Sequence, residues 1–164
     1  MKPKIPLTAS LPSDRELRVS RELDAPRDLV FKAYTDPALV QNWLWGPDDW
    51  PMAECEIDLR VGGAYRYVWR NPQLGDMGMG GRFLEIVPPE RLVVTELFDQ
   101  DWTEGETVCT TTFEDLDDGM RTRLTTTVLY SSQTARDNAM KTPMLEGWGV
   151  CFDRLDDLFP AIAD

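Results

Sequence analysis

Near the end of the chain, residues 142–162 carry apolar side chains at helical spacing: Met144, Leu145, Trp148, Cys151, Phe152, Leu155, Leu158, Phe159 and Ile162. Recurrence at i, i+3/i+4 and i+7 predicts a helix with one broad buried face. Thr142-Pro143 reads as its start, a hydroxyl at the N-cap followed by proline at the first helical position. Arg154, Asp156 and Asp157 supply the wet side, and Pro160 is expected to end the regular part. Gly147 and Gly149 flank Trp148 at a cost of about 1 kcal/mol each relative to alanine, so a close approach to the helix is expected there. A helix apolar along one side must be covered by another layer, and the preceding residues read as that layer.

Residues 15–23 alternate Leu17 and Val19 with charged neighbours, a first strand with one buried face. Asp24-Ala25-Pro26 breaks it and starts a helix whose inner face is Leu29, Val30, Phe31, Ala33 and Tyr34. Thr35-Asp36-Pro37 restarts the chain into a second short helix, with Ala38, Leu39, Val40, Trp43 and Leu44 apolar; residues 46–49 are a loop. From Met52 the period becomes two. Ala53, Cys55, Ile57 and Leu59 alternate with charged residues, and Tyr65, Tyr67 and Trp69 form the inner face of the next strand. Residues 71–80 are rich in Gly, Asn and Asp and read as a hairpin tip that could lid a cavity. Residues 82–87 and 91–98 form a hairpin about Pro88-Pro89-Glu90. Residues 99–105 are an acidic loop carrying Trp102. Residues 107–113 and 121–130 pair across Asp117-Asp118-Gly119, a strong turn signal. Ser131-Ser132 caps a helical segment over 133–141 that either runs on through a kink at Pro143 or stops there.

Strands joined by short turns make an antiparallel sheet. The expected class is α+β: a curved antiparallel sheet of six to seven strands wrapped around a long C-terminal helix, with two short helices after the first strand. Residues 1–14 are expected to be a flexible arm and 15–164 a single domain. A twisted sheet that curls around a helix need not touch it everywhere, and the gap is a natural ligand cavity.

Composition removes several functions. Acidic residues outnumber basic ones 29 to 17, a net charge of −12, which disfavours nucleic acid and anionic membranes because both need clustered Lys/Arg. The absence of histidine removes the commonest general base, the Ser-His and Cys-His nucleophile pairs and most zinc sites. Cys55, Cys109 and Cys151 are odd in number and widely spaced, and read as buried, reduced thiols of a cytoplasmic protein. No metal, no cofactor, no nucleic acid and no membrane partner is expected.

Several runs resemble the START/birch-pollen-allergen-like (SRPBCC) superfamily, and more closely its bacterial branch related to the activator of heat-shock protein 90 ATPase. They are Leu23-Asp24-Ala25-Pro26, Val30-Phe31, Tyr34-Thr35-Asp36-Pro37 and Trp43. Glu56-Ile57-Asp58-Leu59-Arg60-Val61-Gly62-Gly63, the run from Leu84 through Pro88-Pro89 to Leu92, and Glu146-Gly147-Trp148-Gly149 with Leu155 extend the match. The resemblance runs from about residue 21 to 159. It implies the helix-grip fold and an apolar cavity between sheet and C-terminal helix, where superfamily members hold lipids, hormones or polyketides and some act as cyclases or hydrolases. In the eukaryotic co-chaperone, ATPase stimulation depends on a further N-terminal domain. Here a short arm precedes the first strand, so that role is not expected.

The candidate ligand-binding residues are Trp43, Tyr65, Tyr67, Trp69, Phe83, Glu96, Phe98, Met144, Trp148 and Phe152. The aromatic rings would wall an apolar site, and methionine would adapt to an irregular ligand. Glu96 lies on a strand with two largely apolar faces, so its direction is open: it reads as a rim carboxylate or one paired to Arg82 or Arg66, or, pointing inward, as a group with a raised pKa that could serve as general acid or base. Glu85, beside Phe83, poses the same question. The threonines of residues 107–112 and 122–127 suit a β-sheet, and inward ones could line a polar cavity floor. Trp43, Trp45 and Trp50 would guard the other mouth or offer a patch to a partner protein. The expected function is binding of a hydrophobic small molecule, with no residue assigned to catalysis. A cyclase- or hydrolase-like enzyme using a cavity carboxylate and a chaperone-linked interaction protein are the alternatives. A homodimer and a heat-shock protein 90 partner are the protein partners left open.

Overall fold

The computed structural model describes residues 6–45 and 48–162. Parts of the expected arm (residues 1–5) and of the expected loop at 46–49 lie outside the described residues. The elements run β1 (Thr8–Ser10), β2 (Glu16–Leu23), α1 (Arg27–Thr35), α2 (Pro37–Val40), β3 (Met52–Ile57), β4 (Ala64–Asn71), β5 (Gly75–Val87), β6 (Arg91–Phe98), β7 (Thr107–Leu116), β8 (Arg121–Leu129), α3 (Gln133–Met140) and α4 (Met144–Ile162). All pairings are antiparallel, in one eight-stranded sheet of order β1-β2-β8-β7-β6-β5-β4-β3. The expected six to seven strands become eight because Thr8–Ser10 pairs with β2. That part of the arm is an edge strand, held by backbone bonds, and the two short helices follow the second strand.

Local chemistry explains the boundaries. Asp36 caps α2 by accepting from the Ala38 amide at 3.0 Å, with Pro37 at the first turn. Ser132 caps α3 through the Ala135 amide at 3.0 Å, and Thr142-Pro143 separates α3 from α4. In the β7–β8 turn, Asp117, Asp118 and Gly119 stand at φ 51°, 58° and 86°, the left-handed region that Asp and Gly tolerate. Pro160 lies inside α4, which continues to Ile162; near a C-terminus a proline has little helix left to disrupt.

Alternation sets the inner face. Leu17, Val19, Arg21 and Leu23 of β2, Thr122, Leu124, Thr126 and Val128 of β8, and Thr107, Cys109, Thr111 and Phe113 of β7 are buried at every second position. They meet Cys151, Phe152, Leu155 and Phe159 of α4 in one hydrophobic core. The β3 period is weaker than the sequence predicts: only Met52, Cys55 and Ile57 are half-buried, and Leu59 is 44% exposed. β3 is the outermost strand, and its pairing slips between Met52 and Glu54, so nothing covers a complete inner face. Cys55 is accordingly half-buried, while Cys109 and Cys151 are buried; all three are free thiols.

The glycines reverse two expectations. Residues 75–80 are no hairpin tip: Gly75, Gly78, Gly80 and Gly81 lie within β5, and Asn71 closes the preceding turn by accepting from the Gln73 and Leu74 amides. At Gly81 a Cβ would stand 1.9 Å from the Thr95 carbonyl oxygen, so the crowding lies in the sheet. At Gly147 and Gly149 a Cβ would meet no atom within 4 Å, so no close approach occurs at the helix. Gly81→Ala is therefore expected to lower stability by about 1–3 kcal/mol through overpacking. Gly147→Ala and Gly149→Ala should each raise it by about 1 kcal/mol through helix propensity. Urea midpoints measure all three, and a destabilising Gly147→Ala would contradict the open space seen there.

α4 is fastened at two places. Arg21, 3% exposed, rises from the inner face of β2 and pairs with Asp153 Oδ1 at 2.9 Å and Asp156 Oδ2 at 3.6 Å. Arg154 lies 3.7 Å above the Trp45 ring, donates to the Trp45 carbonyl and pairs with Asp48 at 2.9 Å. Arg154 and Asp156 thus face the sheet and the α2 segment instead of open water.

Candidate functional site

Between the inner face of the sheet and the first half of α4 lies a cavity of about 320 Å³. That is at the small end of the roughly 300–1,000 Å³ typical of ligand pockets. One wall is β4, where Tyr65, Tyr67 and Trp69 project inward. Their rings lie in sequence, Tyr65–Tyr67 at 5.1 Å and Tyr67–Trp69 at 6.2 Å, with Phe83 of β5 against Tyr65 at 5.7 Å. The opposite wall is Met144, Trp148 and Cys151 of α4. The sheet floor is Glu96, Thr107, Cys109, Thr111, Thr126 and Val128, joined by Tyr130 just beyond β8.

Three of the aromatic residues anchor their polar ends on main-chain carbonyls. Trp43 Nε1 donates to the Ala33 carbonyl at 2.9 Å, Trp69 Nε1 to the Leu44 carbonyl at 2.8 Å, and the Tyr65 hydroxyl to the Thr95 carbonyl at 2.6 Å. These three rings then present apolar faces without stranding a donor. Thr111 and Thr126 bond each other across β7 and β8 at 3.0 Å.

Nine of the ten expected residues line this cavity: Trp43, Tyr65, Tyr67, Trp69, Phe83, Glu96, Phe98, Met144 and Trp148. Phe152 does not. It is 1% exposed and sits behind the lining, its ring 6.4 Å from both Trp43 and Trp148. One helical turn beyond Trp148 carries it past the cavity and into the solid core. Glu85 turns outward and pairs with Arg91 at 3.1 Å. The pairing slip between Phe83 and Glu85 separates their directions.

Trp102 also belongs to the lining, its ring 5.0 Å from that of Phe98 and tilted 50° to it. Its loop turns on Asp101, Glu104 and Gly105 at positive φ, with Asp101 Oδ1 accepting from the Gly105 amide at 2.7 Å. A single large ring among Asp, Glu and Gly residues is the available signal that this loop folds back inward. Tyr34, Met77, Met79, Cys109, Tyr130 and Cys151 are among the further lining residues that the sequence did not point to as site residues. Among the threonines of β7 and β8, Thr107, Thr111 and Thr126 face the cavity.

Glu96 points inward, and its uncovered surface faces the cavity. Burial pushes its carboxyl up to about 7, partly offset by a weak bond from Cys109 Sγ at 3.6 Å. Burial, then the nearby Glu96 charge, pushes the Cys109 thiol well above its ordinary value. Tyr65, Tyr67 and Tyr130 are raised first by burial, with Glu96 adding to each, and Tyr34 is raised by burial. Burial pushes Cys151 up to about 11. Near neutral pH the site therefore offers protonated hydroxyls and thiols, and one carboxyl that exchanges its proton. Among the described residues, no lysine or arginine lines the cavity. Among the described residues, no cluster of three or more metal-ligating side chains forms. No helix described is long and apolar enough to cross a membrane.

Comparison with known proteins follows the same architecture. The family model for "Activator of Hsp90 ATPase homolog 1-like protein" matches residues 24–160. No curated protein matches the sequence. Among solved structures, one from Rhodobacter sphaeroides is 31% identical, with 95% of this chain and 99% of that one covered and a TM-score of 0.89. A protein from Chromobacterium violaceum is 31% identical over 87% of this chain and 96% of that one, at a TM-score of 0.70. An AHSA1-like protein from Aeromonas hydrophila, 20% identical over 89% and 94% at a TM-score of 0.67, shares the fold.

Proposed function

The chain belongs to the Activator of Hsp90 ATPase homolog 1-like family, a branch of the helix-grip proteins, and on that premise we propose that it binds a hydrophobic small molecule between its sheet and α4. The observation that carries this reading is the cavity of about 320 Å³, walled by rings of β4 on one side and Trp148 on the other. Members of this superfamily commonly hold apolar ligands, so the cavity lies where the fold favours one. The Hsp90 activity in the family's description is not needed for this reading.

The test is a thermal-shift panel of fatty acids, aromatic compounds and isoprenoids. A ligand present at a hundred times its Kd adds about 2.7 kcal/mol. At about 2–4 °C per kcal/mol for a chain of this size, that raises Tm by roughly 5–11 °C. Trp148→Ala, which removes one wall, should abolish the rise for the best compound. No response to any compound would contradict the proposal.

The inward carboxyl of Glu96, poised at about 7, favours a second reading. In it the protein transfers a proton to or from an enolisable, polyketide-like guest, as a cyclase or hydratase does. Glu96→Gln would then abolish turnover and leave the fold intact. Turnover retained in that variant would end this reading while leaving the binding proposal standing.

A further inference from the structure

The cavity is electrostatically one-sided. Among the described residues, Glu96 is its single carboxylate and has no cation beside it, and no Lys or Arg reaches the lining. The groups that face Glu96 are Tyr65 and Tyr67 from β4, Cys109 and Thr107 from β7, and Tyr130 beyond β8. All are neutral near pH 7. Arg136 acts on Tyr130 and Glu106 on Tyr65, and neither lines the cavity. The α4 residues opposite are Met144, Trp148 and Cys151, with no charge among them. Among the described residues, the one bond to the carboxylate is the weak thiol contact from Cys109.

Charge and shape together discriminate among hydrophobic guests. A fatty acid would place a second carboxylate in the same apolar space, and two such groups cannot both ionise there. An alcohol could satisfy one oxygen of Glu96 and leave the charge uncompensated. An ammonium group supplies the missing counter-charge, with several donors for the carboxylate. The rings of Tyr65 and Tyr67, close enough to Glu96 for its charge to act on their hydroxyls, add cation–π attraction, which strengthens where water is excluded.

Resting on the binding function above and narrowing it, we propose that the guest is a small protonated amine with an apolar body, its ammonium seated on Glu96 and its body against the aromatic walls. Binding is then linked to protonation. Below about pH 7 Glu96 holds its own proton and must release it before the amine can pair, so amine affinity falls as pH falls. An alcohol shows no such loss.

Three probes of one chain length separate the possibilities: octylamine, 1-octanol and octanoate, titrated calorimetrically into the full chain at pH 8 and pH 5.5. A charge-assisted bond in place of a neutral one predicts octylamine tighter than 1-octanol by about tenfold or more at pH 8, with octanoate weakest. At pH 5.5 the amine-to-alcohol ratio should fall towards one, and in Glu96→Gln it should be near one at both pH values. If 1-octanol binds and octylamine binds no tighter, or octanoate binds best, the amine proposal is overturned and the hydrophobic cavity stands. If none of the three binds, both readings fall. The pH dependence of the unaltered chain carries the test even where Glu96→Gln fails to fold.

Discussion

The stability gap between Glu96→Gln and the unaltered protein is expected to widen by about 3 kcal/mol between pH 4 and pH 8, in favour of glutamine. Burial raises the Glu96 carboxyl from 4.5 to about 7 on folding. Below pH 4.5 the folded and unfolded chains both hold the proton, and the site costs nothing extra. As pH rises through the interval from 4.5 to 7, the unfolded chain ionises while the folded one still resists. Stability is lost at about 1.4 kcal/mol per unit, and the loss is complete once pH passes the folded value. Glutamine keeps the shape and has no proton to lose. Asp76 and Asp99, lowered by their bonds to Arg70 and Arg66, shift the stability of both proteins in the opposite direction and cancel in the difference. Urea unfolding at closely spaced pH values reads the gap directly. Parallel curves would show that Glu96 ionises in the folded protein as it does in water.

Asp153→Asn combined with Asp156→Asn should cost about 3–5 kcal/mol, because it strands a buried guanidinium. The Arg21 side chain is 1% exposed and its counter-charges are these two carboxylates of α4. Among the described residues its Nε and Nη2 atoms find no hydrogen-bond partner, so the carboxylates supply most of what compensates for its burial. Arg21→Met should cost less than the double change. Asp153 is already 45% exposed at the side chain and can turn to water, while Asp156 also accepts from the Asp24 amide at 3.2 Å. The order of the two effects therefore separates a desolvated cation from an ordinary surface ion pair. Equal, sub-kcal effects would mean that the guanidinium reaches water. The same clamp orients the helix that carries Trp148, so the double variant should also weaken whatever the cavity binds.

The fold was legible wherever one periodicity dominated. The α4 pattern, the β4 stripe of Tyr65, Tyr67 and Trp69, and the Asp118-Gly119 turn each pointed to one local structure. The structure departs from that pattern where neighbours, which a sequence does not display, decide the outcome. Gly81 follows a stretch that reads as loop, yet it lies in β5 and is demanded by the Thr95 carbonyl of the adjacent strand. The alternation of β3 promises a buried face, yet its outermost place in the sheet leaves that face half covered.

Side-chain direction follows the same logic at the site. With Leu92, Val94 and Phe98 on one side of β6 and Val93, Thr95 and Leu97 on the other, alternation could not say which way Glu96 turns. Pairing with β5 and β7 decides it. Arg21 was hidden for the opposite reason: a charge within an alternating strand is ordinarily read as facing water, and only the carboxylates of a helix more than a hundred residues later make the inward position tolerable. Trp102 lies outside every periodic segment, and its place over Phe98 depends on the fold of its loop.

In the proposed complex an apolar guest lies between the tyrosines of β4 and the tryptophan of α4. Intermolecular nuclear Overhauser contacts from the alkyl protons of bound 1-octanol test it most directly. Contacts from one probe to the ring protons of both Tyr67 and Trp148 are expected. Contacts confined to exposed residues such as Leu74 or Met120, with none to either ring, would contradict it.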